Sequence, residues 1–194
     1  MAVAEWHNTA SVSGRDVVRV LLVHKETLAT SQLASVTAGI AAGLVPFDVH
    51  SSAQFGLALA EVGDLSGDGL PELAISSGPI PGALMAEPAL LLIHLQPDGS
   101  IDAFVRIDTN TENMGPVSQE SGFGAALTAA GDLLAFGAPV LFVGAPRDSS
   151  LRGTVHVVAF HQGGTVALHV DILAGGAHGP QPLARFGSAL SVVP

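Results

Sequence analysis

One acidic segment carries the clearest chemistry in the chain: residues 64–72 read Asp-Leu-Ser-Gly-Asp-Gly-Leu-Pro-Glu. Oxygen-bearing side chains stand at its first, third, fifth and ninth positions, and glycine stands at the sixth. Hard oxygen ligands at alternate positions around a sharp glycine turn suit Ca²⁺. The predicted ligands are the backbone carbonyl of Leu70 and the side chains of Asp64, Ser66, Asp68 and Glu72.

The segment is not an EF-hand, because Ile75 occupies the position where such a loop places its last acid. Three carboxylates predict an affinity in the roughly 10⁻⁴ to 10⁻³ M range of extracellular calcium modules. The competing interpretation is an acidic hairpin turn that binds no ion. The equivalent loop at 132–140 keeps Asp132 but has apolar groups at the other side-chain ligand positions, so we expect a structural hairpin there, with Leu134 and Phe136 packing.

These two loops belong to a longer repeat. Residues 55–56 and 123–124 are both Phe-Gly, and in each copy Gly-Asp follows eight and nine residues after the Phe. The first copy ends on Gly-Pro at 78–79, the second on Gly-Ala-Pro at 144–146, and a third Phe-Gly stands at 186–187. A period above sixty residues indicates stacked supersecondary units, one per repeat.

In these motifs the chain resembles the Phe-Gly/Gly-Ala-Pro (FG-GAP) repeats of the integrin alpha-subunit β-propeller, over roughly residues 15–194. The resemblance implies a partial β-propeller of four-stranded antiparallel blades, with the loop at 64–72 as a calcium hairpin in which Ser66 and Glu72 replace aspartates. The implied divisions are a tail and half blade at 1–54, a full blade with the calcium hairpin at 55–122, a full blade with a degenerate hairpin at 123–185, and the start of another blade at 186–194.

Short runs of Val, Leu, Ile and Ala between Gly, Pro, Asp and Ser predict an all-β fold with four strands in each unit. Residues 17–36 align with the last two strands of a unit, residues 108–121 are expected to form a loop, and Trp6 is expected in a disordered end. The expected strands lie near 56–62, 72–76, 89–95 and 101–108, and near 124–130, 140–143, 153–161 and 165–173.

Composition excludes several classes of function. The formal net charge of -10, from 17 acidic against 7 basic residues, argues against a nucleic-acid partner and is compatible with cation ligands. The N-terminal residues do not resemble a secretory signal, and the apolar stretches are too short or too interrupted for a membrane span. No nucleophile or metalloprotease motif is present, so the sequence predicts no enzyme. We expect His156, His161 and His169 to face solvent or lie in loops rather than form a site.

The resemblance implies a calcium-binding module that recognises a protein or glycan in cell adhesion or extracellular contact, outside the cell or on its surface, beside further blades of the same parent protein. Its expected contact surface consists of the loops at 78–88, 108–122 and 145–152. Two alternatives are a propeller accessory to a catalytic domain outside this chain, of a phospholipase or glycan-degrading type, and a purely structural spacer.

Overall fold

The computed structural model describes residues 4–6, 17–23, 30–37, 53–79, 87–98, 100–133, 137, 139–173 and 184–192. The regular secondary structure of these residues is almost entirely β-strand, which confirms the predicted all-β fold class. The strands are β1 Ala4–Trp6, β2 Val17–Val23, β3 Thr30–Thr37, β4 Ala53–Gly63, β5 Glu72–Pro79, β6 Ala89–Leu95, β7 Ile101–Ile107, β8 Ala126–Ala129, β9 Val140–Ala145, β10 Thr154–Phe160 and β11 Val166–Leu173. The only helix in the described ranges is the short α1, Asp148–Leu151.

The strands form three antiparallel sheets. The first has three strands in the order β1-β2-β3, and the other two have four strands each, β4-β5-β6-β7 and β8-β9-β10-β11. Each four-stranded sheet is therefore a simple meander, with chain neighbours paired side by side. All eight predicted strands of the two full repeats occur, with bounds within three residues of the expected ones.

The N-terminal part departs from the prediction in one place. Trp6 lies in β1 and pairs with Val18 of β2, so the expectation of a disordered end at this residue was wrong. The polar residues around Trp6 give no strand pattern in the sequence, and the short strand β1 forms by pairing with β2. The expected hairpin at 17–36 is confirmed as the pair β2 and β3, and residues 108–121 form the expected loop. No helix among the described residues has the length and hydrophobicity to cross a membrane.

The glycines of the three Phe-Gly pairs share a positive φ angle. The glycines at 56, 124 and 187 have φ values of 79°, 84° and 84°, in the left-handed region that side-chain-bearing residues rarely adopt. The ladder between β4 and β5 is interrupted just after Phe55, and the Ser76 hydroxyl there accepts a hydrogen bond from the Ala58 N–H at 2.8 Å. Glycine is therefore the residue that fits this backbone conformation in each pair.

Successive repeats meet through equivalent residues. A Cβ added to Gly124 would stand 2.7 Å from the Ser76 side chain of β5. In the next repeat, a Cβ added to Gly144 of β9 would stand 1.9 Å from the carbonyl oxygen of Gly187. Because Ser76 and Gly144 are 68 positions apart, as are Phe55 and Phe123, the second and third Phe-Gly pairs pack against equivalent positions in the second strand of the preceding unit.

The main core lies between the two four-stranded sheets. Its members include Leu90 and Leu92 of β6 on one side and Val158 and Phe160 of β10 on the other, all fully buried. The alternate residues of β6 form a second cluster on the opposite face, with Phe55 and Ile75. Since neighbouring residues of a strand point to opposite faces, both faces of β6 are buried, which explains its uninterrupted apolar run.

Candidate functional site

The acidic loop joins β4 to β5 and is organised by its first residue. Asp64 Oδ1 accepts hydrogen bonds from the backbone N–H groups of Gly67 at 2.6 Å and Asp68 at 3.1 Å, and Oδ2 accepts one from Gly69 at 2.9 Å. Gly67 and Gly69 adopt positive φ of 80° and 89°, which turns these donors inward. Asp68 Oδ1 accepts the Leu70 N–H at 2.8 Å. The two aspartates thus fix the loop from within.

Glu72 plays a different part, because it is the first residue of β5 and only 2% exposed. One carboxylate oxygen accepts the N–H of Leu65, and the other lies 2.9 Å from His94 Nδ1 on β6. Leu65 itself is buried in the core between the sheets. Glu72 therefore ties the loop to the sheet as well as facing the other two acids.

The structure brings the three predicted carboxylate ligands together. One oxygen each from Asp64, Asp68 and Glu72 lie within 4.8 Å of one another, the two aspartates exposed and the glutamate buried. Ser66 Oγ lies 3.5 Å from Asp64 Oδ1, at the edge of the group. The predicted fifth ligand is the carbonyl of Leu70, whose N–H is bound to Asp68. An all-oxygen donor set of this kind suits a hard cation such as Ca²⁺, with His94 competing for Glu72.

The same loop contacts the second repeat. The carbonyl oxygen of Leu65 accepts the N–H of Gly163 at 2.7 Å, from the turn between β10 and β11. A Cβ added to the neighbouring Gly164 would stand 3.8 Å from His94 Nε2. The acidic loop and its Glu72–His94 pair consequently sit where the two sheets join.

The equivalent loop of the second repeat keeps the hydrogen bond that closes the acidic loop. Asp132 Oδ2 accepts the N–H of Gly137 at 2.9 Å, as Asp64 accepts from its own loop. Leu133 is 62% exposed, while the predicted packing residues Leu134 and Phe136 lie outside the described residues. With one carboxylate the described part of this loop lacks the donors that a calcium site needs.

A second polar cluster contradicts the expectation for two of the histidines. His156 of β10 is 1% exposed, and its Nδ1 lies 2.7 Å from Asp171 Oδ1 and 3.0 Å from His169 Nε2, both on β11. His169 Nε2 lies 2.9 Å from the same Asp171 oxygen. His161 is exposed, as expected. The expectation that these histidines face solvent or lie in loops was wrong for His156 and His169, whose side chains are buried on β10 and β11.

Hydrogen bonding defines the protonation of this cluster. The Gly115 N–H donates to His169 Nδ1 at 2.8 Å, so the His169 proton sits on Nε2 and points at Asp171. The His156 proton then belongs on Nδ1, where it also reaches Asp171. Burial lowers the pKa of His156, the His169 ring acts in the same direction, and the Asp171 carboxylate opposes both. A metal ion would need the Nε2 lone pair of His169, so the folded arrangement is a hydrogen-bonded network rather than a metal site.

The described parts of the three loops expected to form a contact surface do converge. Gly78, Gly122, Pro146 and Arg147 line one cavity of about 240 Å³, together with Arg185. The backbone N–H of Arg147 donates a hydrogen bond to the backbone carbonyl of Ser121 at 2.8 Å, which joins two of these loops. Because Glu72 and Gly78 lie at opposite ends of β5, the cavity is roughly 20 Å from the acidic loop at a strand rise of about 3.3 Å per residue. Residues 80–86 of the first loop lie outside the described residues.

No family model matches this chain, and no curated protein matches it. The resemblance to the FG-GAP repeats therefore remains a prediction from the motifs.

Sequence reasoning missed the Glu72–His94 pair and the histidine cluster. The only available signal for the second was the His-x-Asp spacing of His169 and Asp171, which places both side chains on one face of a strand. The partner, His156, depends on how β10 and β11 are aligned, which the spacing alone does not define.

Proposed function

We propose that this chain is a calcium-binding module of a β-propeller, built from FG-GAP-type blades, that binds a protein partner outside the cell or at its surface. The full blades are residues 55–122 and 123–185, flanked by a tail and half blade at 1–54 and the start of a blade at 186–194. Its role is recognition rather than catalysis. The observation that carries the proposal is the convergence of the Asp64, Asp68 and Glu72 carboxylates within 4.8 Å.

The blade assignment is supported by the two four-stranded meanders and by the way the units meet. A propeller blade is a four-stranded antiparallel sheet whose neighbours stack around an axis. Here β4 and β8, the first strands of the two sheets, lie against each other. The Phe-Gly pairs at 123–124 and 186–187 each pack against the second strand of the unit before them. Repeated contacts of this kind favour serial stacking of equivalent units.

The calcium assignment is supported by charge. Three carboxylates in close proximity repel one another, and a divalent cation between them removes that repulsion. Asp64 and Asp68 are exposed, which leaves a route for the ion, whereas Glu72 closes the site from the sheet. The expected affinity, roughly 10⁻⁴ to 10⁻³ M, is matched to the calcium concentration outside cells.

Calcium has a structural consequence in this proposal. The loop that would hold the ion also accepts the Gly163 N–H from the second sheet through Leu65. An ion that holds the loop therefore stiffens the joint between two units. The opposite end, where the cavity with Arg147 and Arg185 opens, remains available for a partner.

Isothermal titration calorimetry with Ca²⁺ tests the proposal. We expect heat of binding at submillimolar to millimolar calcium, and none after the double substitution Asp64→Ala and Asp68→Ala. The matched control is Asp132→Ala, in the equivalent loop of the second repeat, which should leave the titration unchanged. A folded protein that gives no heat, or a double variant that still binds, would remove calcium from the account.

A further inference from the structure

The cavity at the far end of the sheets combines positive charge with an apolar lining. Arg147 and Arg185 both line it, and so do Leu57 and Phe123. No acidic residue is among its described lining residues, although the chain as a whole carries a formal net charge of -10. A locally cationic cavity on an acidic protein is a favourable place for an anionic group.

The guanidinium of Arg147 has unused hydrogen-bonding capacity. Its Nε is buried and has no hydrogen-bond partner within the described part of the chain. A Cβ added to Gly122 would stand 3.4 Å from Nε and 3.5 Å from Nη2, so a side chain at this position would crowd the guanidinium. The planar guanidinium offers paired N–H donors with which arginine binds a carboxylate through two hydrogen bonds.

The size and lining of the cavity favour one class of ligand. Its volume of about 240 Å³ is below the range of about 300 to 1,000 Å³ typical of pockets for drug-sized molecules, so it takes a side chain rather than a cofactor. A glycan would need several hydrogen-bonding side chains, and the only hydroxyl in the described lining, that of Ser188, already donates to the Arg185 carbonyl. The apolar part of the lining suits the methylene groups of an acidic amino acid.

The geometry points to a pocket that recognises an aspartate or glutamate side chain of a partner protein, with the carboxylate held by Arg147 and the second positive charge supplied by Arg185. The assignment rests on the proposed function as a binding module and gives that module its ligand chemistry. Arg147 is the main ligand because its side chain is half-buried and its Nε has no hydrogen-bond partner among the described residues, whereas Arg185 is exposed.

Fluorescence anisotropy with a labelled, end-blocked peptide of alternating Asp and Ala tests this inference on the full chain. We expect binding that the same peptide with Asn in place of Asp does not show. Arg147→Gln should weaken binding by about tenfold or more, because a hydrogen bond to a charged group is lost. Arg147→Lys should also weaken it, since lysine keeps the charge without the fork. Arg185→Gln should weaken it by less.

The control is Arg152→Gln, an exposed arginine of the same loop outside the lining of the cavity, which should bind as the parent does. Equal binding of the Asp and Asn peptides, absence of binding, or an equal loss in Arg152→Gln would overturn the inference. Binding of an oligoglucuronate in place of the peptide, dependent on Arg147, would overturn the assignment to a protein partner. If Arg147→Gln does not fold, peptide binding by Arg185→Gln is compared with peptide binding by Arg152→Gln, since Arg185 is exposed.

Calcium separates this inference from the proposed function. Peptide binding is measured for the parent and for the Asp64→Ala, Asp68→Ala variant, each with calcium and with chelator. Binding by a chain that takes up no calcium would leave the pocket intact and remove the calcium site. Calcium uptake without peptide binding would remove the pocket alone.

Discussion

Removing the carboxylate of Glu72 should destabilise the fold even when no calcium is present. This side chain is 2% exposed and joins two elements, the N–H of Leu65 in the loop and His94 on β6. In Glu72→Ala both partners lose their acceptor inside the protein. Water does not replace it, because Leu65 and His94 are themselves buried.

The magnitude follows from the burial. A buried donor left without its acceptor costs about 1 to 3 kcal/mol, and Glu72 serves two partners, so Glu72→Ala should lower the free energy of unfolding by about 3 to 5 kcal/mol in all. In a chain of this size, 1 kcal/mol shifts the melting temperature by about 2 to 4 °C, so Glu72→Ala should melt roughly 6 to 20 °C lower. Glu72→Gln keeps a carbonyl oxygen for the Leu65 N–H and an amide for His94, and should lose only about 1 to 2 kcal/mol.

The assay is thermal unfolding followed by circular dichroism in chelator, so that no metal contributes. The matched control is Glu61→Ala, an exposed glutamate on the neighbouring strand β4, for which we expect a change within about 0.5 kcal/mol. Should Glu72→Ala and Glu61→Ala melt at the same temperature, Glu72 would not be buried between the loop and the sheet, and the described geometry of the site would be wrong.

Three further predictions concern the loop, the joint between repeats and the histidine cluster. In chemical denaturation with chelator present, Asp64→Ala should lower the free energy of unfolding by about 1 to 2 kcal/mol, because it removes the acceptor of three backbone N–H groups. Asp68→Ala removes the acceptor of one such group and should lower it by less. Equal losses in the two variants would contradict the described loop. Gly144→Ala should lower the free energy of unfolding by about 3 kcal/mol or more, because the new Cβ would collide with the carbonyl of Gly187, and an unchanged melting temperature would show that these units do not meet this way. Burial lowers the pKa of His156 in the folded state, so its contribution to stability is present above the ordinary value near 6.5 and is lost as the pH falls below it. His156→Phe should therefore flatten the decline of the melting temperature between pH 7.5 and 5.5, and an unchanged decline would contradict burial of this ring.

The strands of both repeats were predictable because their signals are local. The Phe-Gly pairs, the Gly-Asp turns and the apolar runs recur at the same spacing in both repeats. The strands predicted for the first repeat therefore also predicted those of the second. The order β4 to β7 and β8 to β11 followed directly, since short connections favour pairing of neighbouring strands. The signal of the acidic loop was equally local, and its three carboxylates converge as the spacing predicted.

The histidine cluster was not predictable, because it depends on one irregularity between β10 and β11. Counting back from the turn in a regular ladder would place His156 opposite Val170, which puts His169 and Asp171 on the other face of the sheet. An extra residue in β11, Ala167, shifts the register by one and brings His156 opposite Asp171. A single bulge thus decides which face these side chains share, and nothing in the sequence locates it.

The role of Glu72 escaped prediction for a related reason. Its position as the ninth residue of the loop indicated a ligand, but its pairing with His94 depends on β6, about twenty residues later in the chain. The sequence identified the acid and its carboxylate chemistry, whereas the tertiary structure assigns it a second partner. The register between β5 and β6, in which Leu73 pairs with Ile93, brings Glu72 beside His94, and no local pattern in the sequence defines that register.

The most direct test of the calcium proposal is the melting temperature of the full chain in about 10 mM Ca²⁺ and in chelator. With an affinity of roughly 10⁻⁴ to 10⁻³ M, linkage gives about 1.4 to 2.7 kcal/mol of stabilisation, or a rise of roughly 3 to 10 °C. We predict this rise for the parent protein and its absence when Asp64 and Asp68 are both alanine. Equal melting temperatures in calcium and chelator, or a rise that survives the double substitution, would contradict the account.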